Sequence, residues 1–84
     1  MEALDGNAIG GLMMEIFGAE MTTATGTCAG CGAVALLAET VVYLQAPGTV
    51  ARCRSCDAVE MVVVDVRGTK CVDLRGLASL EPAA

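Results

Sequence analysis

Apolar residues recur at a spacing of three to four positions over residues 4–18, which is the spacing that places side chains on one face of a helix. The positions of this stripe are Ala8, Ile9, Leu12, Met13, Ile16 and Phe17. Asp5 stands where a helix N-cap is expected, and Gly18 stands where the chain leaves a helix. The pattern therefore predicts one amphipathic N-terminal helix.

Glycines inside this segment are unfavourable for a helix, by about 1 kcal/mol for an interior glycine relative to alanine. They are Gly6, Gly10 and Gly11. Because glycine has no side chain, we expect these positions to let a neighbouring segment approach the helix closely.

The middle of the chain has the composition of β-strands, rich in valine and threonine. The predicted strands cover residues 21–27, 41–45, 49–52, 60–66 and 71–74. Pro47 and Gly48 form a turn signal between the second and third strands, and Gly68 does so between the last two. An antiparallel sheet of three to five strands is expected. Residues 76–84 are predicted to form a short helical turn followed by a frayed tail.

Two cysteine pairs of equal spacing are present, Cys28 with Cys31 and Cys53 with Cys56. Two Cys-x-x-Cys turns brought together supply four thiolates, the tetrahedral ligand set of structural zinc. Asp57 occupies the place after the second pair that Gly32 occupies after the first, and both residue types tolerate a left-handed turn. The pattern predicts that the four cysteines bind one Zn²⁺ per chain, with iron as the alternative metal.

This arrangement resembles the zinc ribbon, in which two cysteine knuckles, each at the end of a β-hairpin, lie above a three-stranded antiparallel sheet. The resemblance covers residues 21–75 and implies a small, metal-stapled α+β fold with the helix preceding the ribbon. Residues 4–9 and 46–53 are also similar to a family of short bacterial zinc-ribbon proteins of unknown function. That similarity implies that helix and ribbon form one unit, and it brings no activity with it.

Length and composition indicate a single domain, residues 1–84, of a size that usually needs a metal or a partner for stability. Hydrophobic residues make up 55% of the chain, so we expect some of them to contact a second copy or another protein through the apolar helix. The N-terminus lacks export-signal features, and no apolar run reaches the ~18 residues that cross a bilayer. A cytoplasmic protein without membrane contact is expected.

The net charge and the residue content of the chain make two classes of function, nucleic-acid binding and acid–base catalysis, less expected. The formal net charge of −5 opposes nucleic-acid binding, and the sequence contains no histidine for acid–base chemistry. The leading hypothesis is a non-catalytic structural-zinc module that acts in protein contacts and associates with itself. A rubredoxin-like iron protein for electron transfer is the alternative, and a nucleic-acid-binding ribbon is a weaker one.

Three further residues near the predicted strands call for separate interpretation. Strand alternation places Cys71 on the same face as Asp73, so we expect it to be more exposed than a core cysteine, and its role stays open. Arg52 and Arg54 flank Cys53. They are expected either to offset the negative charge of the thiolates or to be ordinary solvated charges.

Overall fold

A computed structural model of the chain describes residues 4–45 and 48–82. This part contains one α-helix, α1 (Gly10–Phe17), and two 3-10 helices, Gly6–Ile9 and Leu37–Glu39. Its strands are β1 (Leu4–Asp5), β2 (Thr25–Cys28), β3 (Val34–Leu36), β4 (Val41–Gln45), β5 (Gly48–Arg52), β6 (Val59–Val66), β7 (Thr69–Asp73) and β8 (Leu77–Glu81). The fold is thus α+β, as the sequence predicts. The helix of eight residues is too short to span a membrane, and the described residues contain no longer one.

The strands form two antiparallel sheets in place of the single sheet that was predicted. The larger sheet has five strands in the order β1-β4-β5-β6-β7, and the smaller has three in the order β3-β2-β8. Adjacent strands of the larger sheet from β4 to β7 follow one another in sequence, so each pair is a hairpin. The predicted turn at Pro47 lies outside the described residues, but Gln45 pairs with Gly48 across it.

One buried apolar cluster draws its side chains from the first 3-10 helix, from α1, from one face of the five-stranded sheet and from the segments beside the smaller sheet. Its members are Ile9, Met13, Met21, Ala24, Leu37, Val42, Ala51, Met61 and Val63. Burying a valine, leucine or methionine side chain stabilises a fold by about 1.5–3 kcal/mol. The opposite face of the larger sheet is half-buried at Tyr43, Val50, Val62 and Val64.

The N-terminal segment differs from the predicted helix over residues 4–18. Leu4 and Asp5 pair with Val42 and Val41 as strand β1, so the chain is extended where the helix was expected to begin. Asp5 does act as an N-cap, because its side chain accepts a hydrogen bond from the Asn7 N–H at 3.0 Å, but the helix that follows is a 3-10 helix. The α-helix starts only at Gly10.

The ends and glycines of this segment agree with the prediction in part. Gly18 ends α1 in the left-handed conformation, with φ of 69°. At Gly6 the predicted close approach is present, since an added Cβ would lie 1.8 Å from the Leu37 carbonyl oxygen. Gly11 has nothing within 4 Å of such an atom, so the prediction was wrong there.

Residues Leu77–Glu81 form a strand and not the helical turn predicted within residues 76–84. Of the frayed tail predicted after that turn, residues 83 and 84 lie outside the described residues. Strand β8 pairs with β2 along its whole length, with one irregularity in register between Thr27 and Cys28. Leu77 and Leu80 pack against the core. A four-residue turn of helix gains few hydrogen bonds of its own, whereas the edge of β2 offers a full ladder, so the long-range pairing prevails.

Candidate metal centre

The two cysteine pairs lie in the turns of two β-hairpins that belong to different sheets. Cys28 ends β2 and Cys31 precedes β3, whereas Cys53 follows β5 and Cys56 precedes β6. The two turns, which we term the first and second knuckles, face each other. The four-cysteine site therefore connects the three-stranded sheet to the five-stranded sheet.

Both knuckles have the same backbone hydrogen bonds. In the first knuckle, the Gly32 N–H donates to the Cys28 carbonyl at 2.9 Å, and the Cys28 N–H donates to the Ala33 carbonyl at 2.9 Å. In the second, the matching bonds run from Asp57 to Cys53 at 2.9 Å and from Cys53 to Ala58 at 2.8 Å. Each pair of hydrogen bonds closes a tight turn, and the two cysteine sulfurs of that turn lie on the same side of it.

The residue that follows each pair adopts the left-handed conformation predicted from the sequence. The φ angle is 78° at Gly32 and 65° at Asp57. Glycine reaches this region without strain, and aspartate is among the few other residues that visit it routinely. The left-handed backbone of a knuckle therefore explains why glycine and aspartate stand at these two positions.

The four sulfurs form a compact cluster. The Cys28 and Cys56 Sγ atoms are 3.7 Å apart, as are those of Cys31 and Cys53, and all four lie within 4.8 Å of one another. With zinc–sulfur bonds of about 2.3 Å, a tetrahedral site has sulfur–sulfur edges of about 3.8 Å. A disulfide would need about 2.05 Å. The spacing fits four ligands around one metal ion and excludes disulfides.

Backbone N–H groups approach the sulfurs of the second knuckle. The Ser55 N–H donates to the Cys53 Sγ at 3.3 Å. The nearby Ala58 N–H lowers the pKa of the Cys56 thiol, but desolvation and the other three cysteines outweigh it and raise that pKa to about 12. A backbone N–H also lowers the pKa of Cys53, in that case the N–H of Cys56. Ionising all four sulfurs together requires a compensating cation, which a divalent metal supplies.

The cluster is partly exposed to solvent. Cys28 and Cys53, the first cysteine of each knuckle, are buried, whereas Cys31 and Cys56 are exposed. Four sulfurs complete a tetrahedral set, so a metal held by all of them has no position left for a substrate or a water molecule.

Arg52 supports the second knuckle in a way that the sequence alone did not indicate. Its guanidinium donates to the Asp57 carbonyl at 2.9 Å, so it holds the left-handed residue in place. Arg54 is exposed. Of the two arginines, it is Arg52 that contacts the site's backbone.

Glu60 is a site residue that sequence reasoning missed. It lies at a register irregularity between β5 and β6, is only 7% exposed, and lies beside the sulfurs of Cys28 and Cys53. Burial raises the pKa of its carboxyl group, and the two cysteines partly offset that rise. A bulge re-aims a side chain, which explains how a glutamate enters an apolar strand here. The sequence feature that could have identified it is a glutamate four residues after Cys56 in an otherwise apolar run.

Cys71 does not join the other four cysteines. It lies on β7, opposite Val64 of β6, and is exposed, as strand alternation predicts.

Comparison with known proteins gives one match. All residues, 1–84, match the family described as "Family of unknown function (DUF6510)". This agrees with the expected similarity to a family of unknown function. None of the curated proteins and none of the solved structures matches the chain.

Proposed function

We propose that this chain, which belongs to the DUF6510 family, is a non-catalytic structural-zinc module of the zinc-ribbon type. Cys28, Cys31, Cys53 and Cys56 would hold one Zn²⁺ per chain. The observation that carries the proposal is the cluster of four sulfurs with 3.7 Å contacts between the knuckles of two different sheets. Zinc bound to all four sulfurs would connect the β2–β3 hairpin directly to the β5–β6 hairpin. The backbone connects these hairpins only through the residues between them.

The expected energy of such a site is large compared with the stability of a small domain. Structural zinc in small domains contributes about 10 kcal/mol or more, whereas a whole domain is typically stable by about 5–15 kcal/mol. We therefore expect the zinc-free chain to lack a fixed tertiary structure. The metal supplies charge neutralisation for the thiolates, and the chain's own N–H groups and Arg52 orient the knuckles.

Protein contacts, including association with a second copy, form the other part of the proposal. Several large apolar side chains are exposed among the described residues: Leu4, Met14, Val34, Leu36, Leu44, Val59, Val66 and Val72. Most of them lie on strands, and in α1 Met13 is buried in the core while Met14 is 46% exposed. The net charge of −5 favours a protein over a nucleic acid as partner, and the cytoplasm suits reduced thiolates.

Native mass spectrometry with and without a chelator tests the metal assignment. We expect one zinc per chain, and we expect chelation or Cys28→Ser to abolish cooperative unfolding and the native near-ultraviolet circular dichroism. Cys71→Ser is the matched control, because Cys71 lies outside the cluster, and it should keep both the zinc and the fold. A Cys28→Ser protein that still binds zinc and unfolds cooperatively would refute the proposal.

The same experiment separates zinc from iron. Four thiolates bind either metal, so the electron-transfer alternative predicts a coloured protein with iron in its mass spectrum. A colourless protein that carries zinc when expressed with both metals available supports the structural role.

A further inference from the structure

Strand β7 forms one edge of the five-stranded sheet, and β6 is its only partner in the described part of the chain. Val72 at this edge is 37% exposed, and Cys71 beside it is exposed as well. An edge strand presents unpaired N–H and C=O groups, which readily pair with another strand. The edge of β7 is therefore a candidate contact surface.

The register of the β6–β7 hairpin shows which groups face outward. Val66 pairs with Thr69 across a two-residue turn with positive φ at both central positions, 53° and 83°, the geometry of a type I′ hairpin. The pair that closes such a turn is hydrogen-bonded, and hydrogen-bonded pairs alternate along an antiparallel ladder. Thr69, Cys71 and Asp73 therefore direct their backbone groups toward β6. Lys70 and Val72 direct theirs away from it.

Strand β7 could pair with the β7 strand of a second copy in several registers. Only one of them uses all the outward N–H and C=O groups of Lys70 and Val72. With Cys71 on the two-fold axis, Lys70 of each copy meets Val72 of the other, which gives four hydrogen bonds. An axis through Lys70 would place two lysines directly opposite each other, which is destabilising. An axis through Val72 would need the Leu74 carbonyl, which already accepts from the Leu77 N–H at 3.0 Å.

The other edges of the two sheets are less suited to this role. β1 has two residues and β3 has three, and the pairing of β8 carries a register irregularity, a feature that disturbs an edge. The Lys70 side chain, an obstacle at many edges, is folded back over its own sheet. Its ammonium group lies 2.7 Å from Asp65 and 3.8 Å from Glu15.

Local charge also permits two copies to meet at β7. Residues 65–75 contain Arg67, Lys70 and Arg75 against Asp65 and Asp73, so three of the five basic residues of the chain lie here. This segment is close to neutral, whereas the whole chain has a net charge of −5. The edge is thus the part of the surface where like-charge repulsion between two copies is weak.

We propose that two zinc-loaded chains associate through antiparallel pairing of their β7 strands, with Cys71 on the two-fold axis, so that two five-stranded sheets become one continuous sheet. This proposal rests on the self-association included in the proposed function and names the surface responsible for it. Because each strand contributes only five residues, the dimer forms reversibly. Cys71 and its copy form a non-hydrogen-bonded pair with Cα atoms about 4.5 Å apart, close enough for a disulfide.

Two charge variants at one position test the register. Val72→Lys places a lysine opposite Lys70 of the other copy, and Val72→Glu places a glutamate there. Both introduce a charged side chain at the same half-exposed site, so any effect on folding is shared. Sedimentation equilibrium of the zinc-loaded proteins should give a dimer dissociation constant about tenfold or more higher for Val72→Lys than for Val72→Glu.

Cysteine crosslinking gives an independent measurement. In wild-type protein under mild oxidation, peptide mapping should find a disulfide between two copies of Cys71. The matched control is Thr69→Cys in a Cys71→Ser chain, since the two introduced cysteines would lie four residues apart along the strands, about 13 Å, and should not crosslink.

The possible results overturn different parts of the proposal. A dimer that is equally stable in both Val72 variants, or that crosslinks through position 69, overturns the β7 pairing and leaves self-association standing. A zinc-loaded chain that is monomeric at every concentration overturns both and leaves the structural zinc proposal standing. Loss of zinc in the wild-type sample would instead overturn the proposed function itself.

Discussion

Replacing Gly32 by alanine tests the claim that left-handed geometry holds the first knuckle together. An alanine Cβ at this position meets no atom within 4 Å, so the substitution adds no clash and changes only the backbone preference. With φ of 78°, a non-glycine residue costs roughly 1–2 kcal/mol. We expect the free energy of unfolding of the zinc-loaded protein to fall by about that amount in urea denaturation.

The same substitution is expected to lower zinc affinity by about 5- to 30-fold, because metal binding and folding are coupled in such domains. Competition with a chromophoric chelator measures this. Gly32→Asp should cost less than Gly32→Ala, since the second knuckle holds an aspartate at the equivalent position with φ of 65°.

Gly11→Ala is the matched control, because it lies in α1 and its added Cβ also meets nothing within 4 Å. In a helix alanine is favoured over glycine by about 1 kcal/mol, so this variant should be more stable than wild type. If Gly32→Ala were as stable as wild type, or if both alanines changed stability in the same direction, the reasoning about the knuckle backbone would be refuted.

Two further predictions concern other parts of the fold. Gly6→Ala should destabilise the protein by about 3 kcal/mol or more in urea denaturation. The added Cβ would lie 1.8 Å from the Leu37 carbonyl oxygen, so the backbone around it would have to move. A loss below about 1 kcal/mol would contradict that contact. Lys70, the only lysine of the chain, has its pKa raised above 10.5 by its hydrogen bond to Asp65. The stabilisation from this pair is fully present below pH 10.5 and is lost as pH rises through the raised pKa. NMR titration of the lysine side chain should show this, with the midpoint returning toward 10.5 in Asp65→Asn, and a wild-type midpoint at or below 10.5 would argue against the pair.

Features encoded by local sequence were predictable, and features that depend on distant pairing were not. The knuckles follow from cysteine spacing and from the residues after each pair, Gly32 and Asp57. The β4–β5 and β6–β7 hairpins follow from β-branched runs with a turn signal between them. In each case the residues that determine the structure lie close together in the chain.

Other features depend on pairing that the local sequence does not reveal. Strand β1 forms because Leu4 and Asp5 pair with β4, and β8 forms because it pairs with β2 about 50 residues earlier. The division into two sheets has the same origin, since β2 takes β8 as its neighbour and none of the strands β4–β7. Glu60 was missed because its burial depends on a bulge, which the strand's own sequence does not reveal.

The order of these elements along the chain has a consequence for protein synthesis. All four clustered sulfurs lie within residues 28–56, ahead of β6, whereas β8 is the last strand described. All four ligands are therefore synthesised before the strand that closes the smaller sheet. One side of β2 stays unpaired until that strand has been synthesised.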